Sequence, residues 1–231
     1  MGGLKGIFTD VAPRYELVNR ILTLGLDGGW RRTAARTAAA AGGRMWLDVC
    51  SGTGDMARAL RRLAPPETRV TALDFCRPML SRAAARDGSG DISSTLAEAQ
   101  ALPFPDAAFD VLVVSFATRN LNSSRAALEA TFREFRRVLR PGGVFVNVET
   151  SQPPRRIIRA GFRAYVRLLV RPLSRLVSGS AGEAGYAYLA ASIRRFYSAE
   201  ELAEILLKAG FAETSFRRLL GGAAAIHRSV R

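Results

Sequence analysis

Apolar and polar positions along the chain alternate between two periods. Arg44–Cys50 (RMWLDVC), Arg69–Asp74 (RVTALD), Phe109–Phe116 (FDVLVVSF) and Val144–Val148 are short apolar runs, and Thr95–Ala97 is a shorter one. Runs of this length bounded by turn residues predict strands, and Phe109–Phe116 is continuous enough to be buried on both faces. Helices are predicted between them over Asp55–Leu63, Pro78–Arg86, Ser124–Leu139 and Ser198–Ala209. In the third of these, Ala127, Leu128, Phe132, Phe135 and Leu139 recur at three- and four-residue steps. Ser198 and Glu201 have the spacing of a capping box, with Gly210 as the stop. Pro65-Pro66, Asp87-Gly88 and Pro141-Gly142-Gly143 punctuate the other elements, and the last 20 residues supply two more strands around Gly221-Gly222. Strands alternating with helices predict an α/β, Rossmann-like fold: a mostly parallel seven-stranded sheet with helices on both faces.

Two regions fall outside that alternation. Residues 1–43, Ala-rich over Thr33–Gly43, read as an N-terminal helical arm, and 150–197 as a helical insertion before the last helix. Residues 1–231 suit a single domain carrying both. In a doubly wound sheet the two elaborations would cover the carboxyl ends of the strands, where such sheets bind ligands.

The chemistry concentrates at those ends. The first strand runs into Ser51-Gly52-Thr53-Gly54-Asp55 and then a helix. Glycines in such a turn tolerate positive φ and let backbone approach a ligand closely. Asp74 follows Gly54 by 20 residues, at the end of the second strand, where a carboxylate can accept two ribose hydroxyls. A dinucleotide would want G-x-G-x-x-G facing a pyrophosphate. Here Asp55 follows Gly54, and its charge would repel a diphosphate. S-adenosylmethionine, with a ribose, a sulfonium and no phosphate, fits better.

Composition and charge narrow the class. Hydrophobic residues make up 48% of 231 and charged ones 23%, enough for a real core. No apolar run is long enough to span a membrane, the N-terminus lacks a secretory h-region, and Gly6 stands where myristoylation needs Ser or Thr. Two cysteines, Cys50 and Cys76, make no disulfide scaffold. Together these features predict a cytoplasmic location. One His and two scattered Cys offer no metal-ligand spacing, so no metal is expected. The net charge is +14, and of 34 basic residues only Lys5 and Lys208 are lysines. Between Thr150 and Gly182 lie seven arginines and no acid, interleaved with Ile157, Ile158, Phe162, Tyr165, Leu168 and Leu169. That pattern suits either an anionic membrane surface, at its inner face, or a solvated helix pair.

The chain resembles the ubiquinone/menaquinone biosynthesis C-methyltransferases, class I S-adenosylmethionine-dependent enzymes that methylate a polyprenylated quinol ring. The resemblance runs through Phe8, Val11-Ala12, Tyr15-Glu16 and Asn19, then Leu47-Asp48 with Gly52-Thr53-Gly54-Asp55. It continues through Ala101–Asp106, Phe109-Asp110, Ser115-Phe116 with Arg119-Asn120, and Leu139 with Pro141-Gly142-Gly143. Tyr188-Leu189 with Ser192-Ile193-Arg194 and Phe196, and finally Ala225–Arg228, complete it. It implies cofactor contacts at Asp48, Gly52, Thr53, Gly54, Asp74, Glu98, Ala99 and Ser115, with Glu98 where Asn or Asp is usual. It further implies Arg119, Asn120 and Tyr15 as catalytic, with Arg119 stabilising a developing quinolate and orienting a water. A guanidinium cannot itself be the base. Cys50 stands where many methyltransferases have Gly, Asp27-Gly28-Gly29 where His or Arg commonly precede Trp30, and Tyr197 where Pro follows Phe196.

The implied reaction is C-methylation of a quinol in menaquinone or ubiquinone biosynthesis, demethylmenaquinol to menaquinol being favoured. The partner is the polyprenyl quinol, nucleic acid is not expected, and a homodimer stays open. A methyltransferase acting on another small lipid, or on RNA, is the alternative; the Asn/Asp-Pro-Pro-aromatic tetrapeptide of amino-methylating enzymes is absent. Cys50, Cys76 and His227 are read as packing residues.

Overall fold

The computed structural model describes residues 23, 25–88, 90–170, 192–193 and 195–231. Its elements are α1 (Asp27–Ala39), β1 (Met45–Val49), α2 (Asp55–Arg61), β2 (Arg69–Asp74), α3 (Arg77–Asp87), β3 (Ile92–Leu96) and β4 (Phe109–Ser115). There follow α4 (Thr118–Leu121), α5 (Arg125–Val138), β5 (Leu139–Thr150), α6 (Arg156–Tyr165), a π-helical turn (Val166–Val170), α7 (Ala199–Lys208), β6 (Glu213–Leu219) and β7 (Ala224–Val230).

The strands form one seven-stranded sheet in the order β3-β2-β1-β4-β5-β7-β6. The first five are parallel, and β7 runs antiparallel to both β5 and β6. Successive residues of each central strand therefore feed opposite layers. Leu47, Leu112, Val114 and Phe145 pack with Phe132 and Phe135 of α5 and Leu202 and Ile205 of α7. Trp46, Val111, Val113 and Val146 pack on the other side with Ala34, Ala35 and Ala38 of α1 and Met56 and Leu60 of α2. The Ala-rich stretch is thus the face that lets α1 approach the sheet closely over Trp46, which is fully buried.

Local signals explain most boundaries. Ser124 caps α5 by accepting the Ala127 N–H, and Ser198 and Glu201 close the reciprocal capping box on α7. Two expectations move. β3 begins at Ile92 rather than Thr95, because Val70 and Thr71 of β2 pair with Ile92 and Ser93 in an exposed edge strand that carries little apolar pattern. β5 runs from Leu139 through Pro141-Gly142-Gly143 instead of starting after it, since Leu139 pairs with Phe109 before a register shift restores pairing at Val111–Val144. Of the N-terminal arm, α1 is described; the signature at Phe8–Asn19, with Tyr15, lies outside the described residues, as do Tyr188-Leu189, Arg171, Arg175 and Arg194.

Candidate active site

The carboxyl ends of β1, β2 and β4 surround a cleft of about 490 Å³ lined by Asp48, Gly52, Thr53, Asp74, Glu98, Ala99, Ser115 and Asn120. Eight of the eleven residues expected in the site therefore meet in one place. Gly54 shapes the turn from behind. Its φ is 80°, and a Cβ there would come within 2.9 Å of the Ala83 Cβ, so any side chain would push α2 away from α3. Gly52 also takes positive φ, and its N–H donates to Asp74 Oδ2 at 2.9 Å while the Cys76 N–H donates to Oδ1 at 2.9 Å. Asp74 is thereby fixed in one rotamer. Burial pushes its carboxyl up, against the pull of the N–H groups of Cys76, Gly52 and Phe75.

Asp48 is the more exposed to electrostatic cost. It is 1% exposed, and neither carboxylate oxygen has a hydrogen-bond partner; the buried Ser51 hydroxyl also lacks one. Burial drives the Asp48 carboxyl well above its usual range, opposed chiefly by the nearby Ala57 N–H and reinforced by Asp74. Unsatisfied buried polar atoms on a cleft wall are satisfied by what binds there. Carboxylates at Asp48, Asp74 and Glu98 line the inner cleft, while Asp55 is occupied by Arg58 and Arg86. These donors and acceptors suit a ligand with hydroxyls and a cationic centre, and S-adenosylmethionine meets that description.

Cys50 and Phe116 directly follow β1 and β4, and both take positive φ, at 57° and 56°. The strain lies on the cleft side of the sheet, where tight chain reversals aim backbone at a ligand. Burial, with Asp74 and Asp48 beside it, raises the Cys50 thiol well above its ordinary value, so it stays protonated and unreactive; Cys76 is a buried free cysteine.

Arg119 goes elsewhere. It lies on the one-turn helix α4, 5% exposed, and its Nη1 donates to Glu149 Oε1 at 2.7 Å and to the Phe116 carbonyl at 3.0 Å. It lines a second cavity, of about 370 Å³, whose wall is otherwise mostly apolar: Trp30, Phe116, Ile158, Phe162, Val166 and Ile193. Asn120, one residue on, faces the cofactor cleft. Asp27 lines both spaces. His227 lines neither; its Nε2 bonds the Ala199 carbonyl at 2.8 Å and burial lowers its pKa to about 4.

Three residues of this region stand outside the sequence expectations for the site. Glu149 lies just beyond the Val144–Val148 run that the sequence marks as a strand, and only the fold brings it to Arg119 thirty residues earlier. Asp27 and Arg31 form an i,i+4 ion pair on α1, a spacing visible in the sequence. Arg31 also donates from Nε to Ser115 Oγ at 3.1 Å and sits 5.1 Å over the Phe116 ring. Among the described residues no group of three His, Cys, Asp or Glu side chains is placed to hold a metal ion.

The chain is similar to known methyltransferases in sequence and in fold. The chain is 39% identical over 223 residues to a demethylmenaquinone methyltransferase of Deinococcus radiodurans, covering 96% of this chain and 89% of that one. It is 34% identical over 229 residues to the ubiquinone/menaquinone biosynthesis C-methyltransferase UbiE of Desulfotalea psychrophila, covering 99% and 90%. Its fold is shared with a SAM-dependent methyltransferase from Thermotoga maritima, at a TM-score of 0.62 and 17% identity over 97% of this chain and 98% of that one. The profile of the ubiE/COQ5 methyltransferase family matches residues 3–231, and the chain belongs to that family.

Proposed function

We propose that the protein transfers a methyl group from S-adenosylmethionine to a ring carbon of a polyprenylated quinol, demethylmenaquinol in the first instance. The observation that carries this reading is the apolar cavity, which shares Asp27 with the cofactor cleft. A methyl acceptor seated there is flat and oily, with its reacting carbon turned toward the strand ends. The relatives named as demethylmenaquinone and ubiquinone/menaquinone methyltransferases support the same class of acceptor.

When bound, S-adenosylmethionine supplies a methyl on a sulfonium, displaced in line by the ring carbon to leave a neutral thioether. The chain positions the two reactants and keeps water out. Asp74 holds the ribose hydroxyls, Glu98 and Ala99 the adenine edge, and Asp48 with the Gly52–Gly54 backbone the methionine end. Trp30, Phe116 and Phe162 give the ring an aromatic wall to lie against. Arg119, kept in place by Glu149, faces the cavity with a fixed positive charge that stabilises a quinolate oxygen. Asn120, which lines the cofactor cleft, orients the acceptor from that side, and Tyr15, outside the described residues, completes the set expected from the sequence.

The arm and insertion act as the substrate side of one methyltransferase domain. α6 has no buried residue; Ile157 is 87% and Leu168 63% exposed, beside the exposed Arg155, Arg156, Arg163 and Arg167. Arg159 turns inward to the Pro153 and Pro154 carbonyls. Among the described residues no helix is long and apolar enough to cross a membrane. This face supports a peripheral contact with anionic lipid, from which the quinol tail would enter; failure to float with phosphatidylglycerol liposomes at low salt would end that part of the proposal. The reaction itself is tested by incubating the protein with methyl-labelled S-adenosylmethionine, a chelator and a panel of demethylated naphthoquinols and benzoquinols. Label should enter a quinol despite the chelator, and label in none of them refutes the reading.

A further inference from the structure

The apolar cavity needs a proton acceptor. A quinol ring becomes a carbon nucleophile as its hydroxyl loses a proton, from a group of pKa about 10. Arg119 cannot accept one, and burial raises the Tyr165 phenol above its ordinary value, so it stays protonated at neutral pH. Among the described residues lining this cavity, Asp27 carries the only carboxylate. It lines the cofactor cleft as well, so it stands at the partition the methyl group must cross.

The surroundings hold that carboxylate in place without consuming it. Oδ1 accepts from the Thr23 hydroxyl at 3.1 Å, and Oδ2 accepts from the Arg31 guanidinium. Each oxygen keeps a second lone pair. The side chain is only 9% exposed, so water competes weakly for it. Arg31 is its charged contact. The other charged and titratable groups lining the cofactor cleft include Arg32 on its own helix, the Asp55–Arg58 pair and Arg62 near α2, Asp48 on β1 with Cys50 just after it, and Asp74, Glu98 and Arg86 farther along. On the cavity side they include Arg119, paired to Glu149, and Tyr165.

We propose that Asp27 is the general base of the methyl transfer, a catalytic residue that touches the ring hydroxyl of the acceptor. As the new carbon–carbon bond forms, the hydroxyl proton passes to the Asp27 carboxylate, and the sulfur–methyl bond breaks with its electron pair on sulfur. The ring carbon then loses its own proton to water, and Asp27 returns the first proton to the ring oxygen. One proton is released per turnover, matching the charge lost by the sulfonium. After the transfer the ring oxygen is a neutral carbonyl; it becomes an enolate only as the ring carbon loses its proton, and the Arg119 guanidinium, which lines the same cavity, stabilises that charge until Asp27 returns the proton. The inference rests on the function proposed above.

The competing role for Asp27 is a first-turn helix acid that merely anchors Arg31. Three enzymes separate the two: the unaltered chain, Asp27→Asn, and Asp27→His, which restores a proton acceptor without the carboxylate. Each is assayed with labelled S-adenosylmethionine and demethylmenaquinol from pH 5 to 10, and quinol binding is followed by quenching of Trp30. General-base removal costs about 10²–10⁴-fold. Asp27→Asn should lose that much kcat at neutral pH with little change in quinol affinity, and its remaining rate should climb with pH toward the quinol pKa. Asp27→His should recover at least tenfold over Asp27→Asn. An Asp27→Asn enzyme within threefold of the parent, or one depressed equally at every pH and not improved by His, overturns the assignment. If the unaltered enzyme labels no quinol, the function reading fails and Asp27 loses its role with it.

Discussion

Replacing Arg119 by Met should destabilise the protein about as strongly as it disables it. The Arg119 and Glu149 side chains are 4% and 1% exposed, so the substitution leaves a carboxylate in the interior. Removing one partner of a buried ion pair costs about 3–5 kcal/mol. Glu149 would keep three neutral donors, the N–H groups of Arg119 and Thr150 and the Thr150 hydroxyl, at 3.2, 2.7 and 3.0 Å. That partial solvation places the cost at the low end, about 3 kcal/mol. For a chain of this length, the melting midpoint should fall by roughly 6–12 °C. Adding Glu149→Gln removes the stranded charge yet retains a carbonyl oxygen for the Thr150 N–H, so the double variant should regain most of the loss. Urea and thermal melts of the parent, both single variants and the double close the cycle. An Arg119→Met protein within about 1 kcal/mol of the parent, or a double variant as unstable as the two losses summed, would refute the claim that this pair is a coupled, buried unit.

Further outcomes follow from the same geometry. Arg119→Met should collapse turnover while S-adenosylmethionine affinity, read by calorimetry, stays near the parent value, because Arg119 does not line the cofactor cleft. Asp48→Asn should weaken cofactor binding yet stabilise the ligand-free protein at neutral pH. The folded state holds the Asp48 proton more tightly than the unfolded chain does, so the parent loses stability as pH rises from about 4 through the raised value; the gain should vanish below pH 4. His227→Gln should flatten the acid limb of stability. With a folded pKa of about 4 against 6.5 unfolded, the parent loses up to about 1.4 kcal/mol per pH unit as pH falls through that window, and urea melts at pH 4.5 and 7 measure the difference. Gly54→Ala forces φ of 80° on a residue with a Cβ and drives it against Ala83, so cofactor affinity should fall at least tenfold by calorimetry.

Much of this is legible in the sequence. The glycine turn after β1 and the acid at the end of β2 announce themselves because close backbone approach and ribose binding need those residue types at that spacing. The capping box on α7 is a local signal and appears as expected. What the sequence could not convey is non-local. β3 is an exposed edge strand whose pairing with β2 defines it more than its own pattern does. Glu149 acquires meaning only when parallel β4 and β5 bring it under α4, which also turns Arg119 toward the apolar cavity rather than the cofactor. Asp27 stood in the sequence only as a departure ahead of Trp30, and it is the first residue of α1.

The position of the transferred methyl tests the whole account most directly. After a single turnover with deuteromethyl S-adenosylmethionine and demethylmenaquinol, mass spectrometry and proton NMR of the extracted lipid should place the new methyl on the vacant ring carbon of the naphthoquinol. A methyl ether on a ring oxygen, or label recovered on protein or RNA with the quinol unchanged, would contradict it.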